Sequence, residues 1–193
     1  MSNASTLPTL PFETQAAWQT WLDEHHATSK GLWLKIAKKG ASVPSISYAE
    51  ALEIALCYGW IDGQKASFDD QFWLQKFTPR GPKSIWSKIN IEKATALIAA
   101  GRMQPAGLRH VEAAKADGRW EAAYDGQRAI TVPDDFQRAL DENPQAQAFF
   151  ATLDSANRYA ILFRIQTAKK AEVRESRIRT YIVMLATGQK LHP

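Results

Sequence analysis

The 193-residue chain has one cysteine, Cys57, which excludes an intramolecular disulfide framework and any cysteine-based zinc knuckle. It has four histidines, and the adjacent pair His25 and His26 points to different sides of a helix, so no shared metal is expected. The chain contains no HExxH, no P-loop, no GxGxxG and no GxSxG, so no cofactor is implied and no reaction is named. Cys57 lies in an apolar stretch and reads as a small buried hydrophobe rather than a nucleophile. The longest apolar run, Tyr181 to Ala186, is six residues, against roughly 20 for a membrane span. The first residues, MSNASTLPTLPFE, lack the basic and apolar regions of a signal peptide, and a cytoplasmic location is expected. No repeat and no low-complexity segment is visible.

What is present is aromatic mass and a mild basic excess. Seven Trp, eight Phe and five Tyr supply ample core material and exclude a disordered chain. The net charge of +4 is unevenly spread. Residues 63–110 carry eight bases and three acids, and residues 136–193 nine bases and five acids, while the segments between and before them are acidic. Such alternation fits internal pairing or a localised cationic pocket better than a uniform polyanion coat.

Periodicity gives the fold class as α+β: a small antiparallel sheet of about three strands covered by helices, then a helical C-terminal segment. Residues 1–11 read as a loose leader, residues 12–125 as the α+β domain, and residues 132–188 as helices packed on it as one compact unit. Helix spacing marks Glu13 to His26. Gly31 to Lys38 alternates as a strand, Leu32, Leu34 and Ile36 against Trp33, Lys35 and Ala37. Ser47-Tyr48-Ala49-Glu50 is a capping box opening a helix that Gly59 closes. Trp60–Ser67 and Gln71–Thr78 read as a hairpin. A short helix is expected through Ile85 and Trp86, then one capped by Asn90 and ended by Gly101. Pro105 opens another that Gly118 ends. Pro133, Pro144 and Ser155 start further helices, and the last runs from about Glu172 to Ala186.

The candidate site comes from the unusual polar residues between Gly59 and Asn90. Asp62 stands in an aromatic strand, on the face of Trp60, and must meet solvent, a cation or a site. Arg80 sits in a Pro-rich turn before Ser84, Trp86 and Asn90, where a guanidinium fork and helix N-termini can hold an anion. The alternative is an Arg that staples the loop through backbone carbonyls. Arg102 and Arg119 follow helix-ending glycines and read as partners of the last carbonyls. Arg174 continues the buried stripe of the last helix and needs an anionic partner, either internal (Asp62 or Glu172) or a ligand. Trp60, Asp62, Arg80, Ser84, Trp86, Asn90 and Arg174 are therefore the candidate residues for a small anionic ligand.

Three other readings stay open. Basic residues interleaved with Phe72, Trp73, Phe77 and Trp86 suit a nucleic-acid interface over residues 63–110, although Asp69 and Asp70 interrupt it. Asp62 beside an Arg-held substrate suits a general base, so an enzymatic role stays open. Surplus Trp suits self-association or a protein partner.

The runs ALCYGWIDG (55–63), FTPRGPKSIWSKIN (77–90), GRMQPAGL (101–108), AKADGRW (114–120) and AKKAEVRESRI (168–178) resemble the YdeI/OmpD-associated, or bacteriocin-protection, family. Gly81 and Val173 depart from it, where relatives often carry a second basic residue and a Thr. The resemblance implies a small α+β protein with a helical C-terminal part and a role in bacteriocin or antimicrobial-peptide stress tolerance. It implies no reaction.

Overall fold

A computed structural model describes residues 7–193. The alternating segments form a four-stranded sheet, one strand more than expected. Its strands are β1 (Thr9–Pro11), β2 (Leu32–Ala37), β3 (Trp60–Ser67) and β4 (Phe72–Pro79), in the order β1-β2-β4-β3. The added strand is β1, from the described end of the segment read as a leader; residues 1–6 of that leader lie outside the described residues. It runs parallel to β2, with Leu10 opposite Leu34, so the sheet is mixed rather than antiparallel. Trp33 N–H donates to the Pro8 carbonyl at 2.8 Å and helps hold β1 on β2. Only distant pairing makes this three-residue segment a strand.

The hairpin β3–β4 forms as its sequence predicts, closed by Asp69, whose Oδ1 accepts from the N–H groups of Gln71 and Phe72. A bulge interrupts the pairing between Asp62 and Lys65. The buried Gln75 amide donates to the Gly63 carbonyl there, at 2.9 Å, so the bulge leaves that group satisfied.

The chain divides into two compact units. The first comprises the residues up to Trp86 with Asn90–Ala122, and the second Ser87–Ile89 with Ala123–Pro193. In the first, α1 (Gln15–His25) and α2 (Tyr48–Cys57) lie on the sheet face that carries Leu32, Leu34, Ile36 and Phe77. Trp18 of α1 sits at its centre, 5.8 Å from the Phe77 ring and 6.3 Å from Trp60, and its indole N–H donates to the Ala51 carbonyl. Burial of each such ring contributes on the order of 2 kcal/mol or more. The capping box at Ser47 and Glu50 is formed in both directions. Gly59 ends α2 with φ +72°. Two further helices, α3 (Lys88–Ala99) and α4 (Pro105–Ala116), join α2: Lys93 reaches Glu53 at 3.3 Å, and Gly107 meets the backbone of Cys57 so closely that any Cβ would overlap its carbonyl.

Two local expectations fail. Residues 84–86 form no helix, and Asn90 is not a cap. Ser87 instead bridges to Tyr124, and Lys88 N–H donates to the Tyr124 carbonyl at 2.9 Å. That partner satisfies a first-turn donor, so α3 starts two residues before Asn90, which is buried in its first turn.

The second unit packs α5 (Asp134–Asp141), α6 (Pro144–Thr152), α7 (Ser155–Gln166) and α8 (Ala171–Ala186) around Phe136, Leu140, Phe150, Ile161, Ile165 and Ile178. Pro144 sits in the first turn behind an Asn143 cap, and Asp154, not Ser155, caps α7. No helix among the described residues is long and apolar enough to cross a membrane.

Candidate functional site

The first unit concentrates cations and indoles where β4 ends. Arg80 follows β4, and its backbone N–H donates to the Gly59 carbonyl at 2.9 Å, joining the strand end to the end of α2. Its side chain is buried, with the guanidinium carbon 3.6 Å from the centroid of the Trp86 ring. Nη1 donates to the Ile85 carbonyl at 3.3 Å, a contact that ties the guanidinium to its own loop. Trp86 packs on Trp120 at 5.0 Å. Its buried indole N–H has no hydrogen-bond partner among the described residues, which costs about 1–3 kcal/mol. Ser84 lies in the connecting turn and accepts from the Gly81 N–H at 3.0 Å.

Arg119 approaches from beyond α4. Its Nη1 donates to the Ser84 carbonyl at 2.8 Å, and its Nε lies 2.8 Å from both Asp117 oxygens. Its guanidinium thus holds the loop and a carboxylate instead of the last carbonyls of α4. Arg102 likewise turns to a carboxylate, Glu53, at 3.6 Å.

His110 completes the cluster and was not among the expected site residues. It borders the buried stripe Gly107, Val111 and Ala114 of α4, and its ring covers Gly59, where a Cβ would overlap it. Its pKa is held below the ordinary imidazole value, chiefly by burial and then by the charges of Arg80, Arg109 and Arg119. The sequence signal that could have found it is paired: a histidine beside a buried helical stripe, and a glycine able to accept a close neighbour.

The remaining expected residues take other roles. Trp60 is a core side chain whose indole N–H donates to the His26 carbonyl at 3.1 Å. Asp62 lies on the edge strand β3 and accepts from the Tyr48 hydroxyl at 2.8 Å. Arg174 belongs to the second unit. There it makes a two-point pair with Asp135, at 2.6 and 2.9 Å, and a third bond to the Ile165 carbonyl. Its anionic partner is therefore Asp135, neither Asp62 nor Glu172. The pairing holds the Asp135 carboxyl below its ordinary pKa and raises the guanidinium's. Of the aromatics expected to stack bases, Phe77 and Trp86 are buried, and Trp73 faces Tyr48 at 6.2 Å.

A concavity of about 140 Å³ in this unit is lined by Gln19, Ile54, Cys57, Tyr58, Arg102 and Gln104. Burial pushes the Cys57 thiol up, which disfavours the nucleophilic thiolate.

Two family models match the chain. Residues 10–110 match a domain of unknown function (DUF8412), and residues 129–188 match the bacteriocin-protection, YdeI or OmpD-associated family. The 168–178 run lies within the second match, whereas the runs at 55–63, 77–90 and 101–108 lie within the first. No curated protein and no solved structure gave a match.

Proposed function

The chain belongs, through residues 10–110, to the family of the domain of unknown function DUF8412, and from that premise we propose that it binds a small anionic ligand at the Arg80–His110 corner, as a non-enzymatic cytoplasmic protein of the bacteriocin-protection, stress-tolerance type. The convergence of charge carries this reading. The charges of Arg80, Arg109 and Arg119 all bear on the His110 imidazole, and Asp117 pairs with Arg119. A mobile anion offsets such a potential. Guanidinium forks suit phosphate or carboxylate groups, and a stacked indole suits a planar ligand body. The buried Trp86 N–H adds a donor that lacks an acceptor. The proposed site comprises Arg80, Ser84 and Trp86 with Arg109, His110 and Arg119.

Inorganic phosphate, nucleotides, phosphosugars and dicarboxylates titrated into the protein test this. A bound anion favours the imidazolium, so the His110 pKa, followed by its ring proton resonances, rises and the melting temperature increases. Arg109→Ala, at an exposed position, weakens the response without unfolding the chain. If none of these anions moves either signal, the corner is a structural brace only.

A further inference from the structure

We propose that the face of the sheet turned away from α1 and α2 is a docking surface for single-stranded nucleic acid. The pairing register fixes its composition. Trp33 lies opposite Lys76, Lys35 opposite Leu74, and Ala37 opposite Phe72, while Leu32, Leu34 and Ile36 face the helices. Every one of these outward residues is half-buried, not sealed. The four helices associated with this sheet do not supply a cover for it: α1 and α2 occupy the other face, and α3 and α4 join through α2.

The chemistry of the face points to one kind of occupant. Lys35 Nζ stands 4.3 Å from the centroid of the Phe68 ring and 5.8 Å from that of Phe72, and Lys76 Nζ stands 5.9 Å from that of Trp33. Ammonium groups and aromatic rings therefore alternate across neighbouring strands. Phe68, at the hairpin end, is 46% exposed, so its ring is open to a stacking partner. The only acid in the four strands, Asp62, pairs opposite the inward Phe77 and bonds Tyr48 of α2, so the outward face carries no strand carboxylate. The hairpin turn beside Phe68 carries two carboxylates, Asp69, whose Oδ1 accepts from backbone N–H groups, and exposed Asp70, so both acids stand at that end of the face. Flat rings interleaved with cations, on a surface free of strand carboxylates, match a chain of planar bases joined by phosphates. An apolar protein partner would not call for the lysines, and a small anion would not call for the rings. This face is distinct from the Arg80–His110 corner.

Fluorescence anisotropy of labelled dT and rU oligonucleotides, at low and physiological salt, tests the proposal with the full chain. Binding is expected to weaken with salt. In Lys35→Glu/Lys76→Glu the slope of log K against log salt falls in magnitude by about 1.4, from two lost phosphate contacts. Trp33→Ala weakens binding on the order of tenfold. Circular dichroism melts confirm that each variant is folded, and Lys35→Gln/Lys76→Gln serves if charge reversal disturbs the sheet. No binding at low salt overturns the proposal. So does binding that these variants leave intact and Arg109→Ala removes, which would place the oligonucleotide at the other cluster.

Discussion

Arg174 in the second unit is a half-buried arginine and Arg80 in the first a fully buried one, and they are stabilised by different means. Arg174 has a carboxylate fork from Asp135 and a carbonyl, which together answer its charge within the unit. Arg80 lies flat on an indole and braces a carbonyl, with Arg109 and Arg119 acting on the same histidine. The first arrangement closes a fold. The second brings three guanidinium charges to bear on one imidazole, which is the basis of the anion site proposed here. A buried arginine is thus informative only together with the sign of the charges around it.

The largest way to break the contrast is to remove the seat of His110. Gly59→Val demands a left-handed β-branched residue and drives its side chain into the His110 ring, so denaturant unfolding should show a loss of about 3 kcal/mol or more. Next comes Asp135→Ala, which leaves Arg174 without its carboxylate. Allowing for solvent screening at a pair about one-third exposed, the loss is about 1–2 kcal/mol, and the phosphate response should stay intact. A variant that lost that response as well would dissolve the distinction between the two arginines.

Acid titration sharpens the contrast. Asp135 has a depressed carboxyl pKa in the folded state. Its stabilisation is present above the unfolded value of about 3.9 and disappears as pH falls through the lower folded value. His110 also has a depressed pKa, so the unfolded chain takes its proton first. Stability then declines as pH drops through about 6.5 and levels off below the folded value. Urea midpoints between pH 8 and 4 should contain a histidine-dependent slope that His110→Gln abolishes and Asp135→Asn preserves. The smallest effect belongs to Arg109→Ala. It should change stability by about 0.5 kcal/mol or less, yet raise the His110 pKa by relieving repulsion, an outcome visible by NMR.

What the sequence made legible was local. The capping box at Ser47, the hairpin through Asp69 and the Pro105 and Pro144 helix starts are each written within a few residues, and each forms. What it concealed was pairing across distance. Thr9–Pro11 becomes a strand only because β2 offers an open edge. Asn90 loses its capping role to a bridge from Ser87 to Tyr124, and Arg174 finds Asp135 thirty-nine residues away. The site divided in the same way. Arg80, Ser84 and Trp86 come together because one turn carries them, whereas His110 and Arg119 join through the contact of α4 with α2 and with that turn.

The margins of the sheet carry a consequence for life in a crowded solution. An exposed strand edge invites another chain to extend the ladder, the first step towards fibrous aggregates. Here one edge is β1, three residues long and ending at Pro11, which has no N–H to offer. The other is β3, whose register breaks between Asp62 and Lys65 and whose Lys65 is exposed. Neither margin presents a long, flat, regular row of donors and acceptors, so a sheet rich in tryptophan and phenylalanine can remain at four strands.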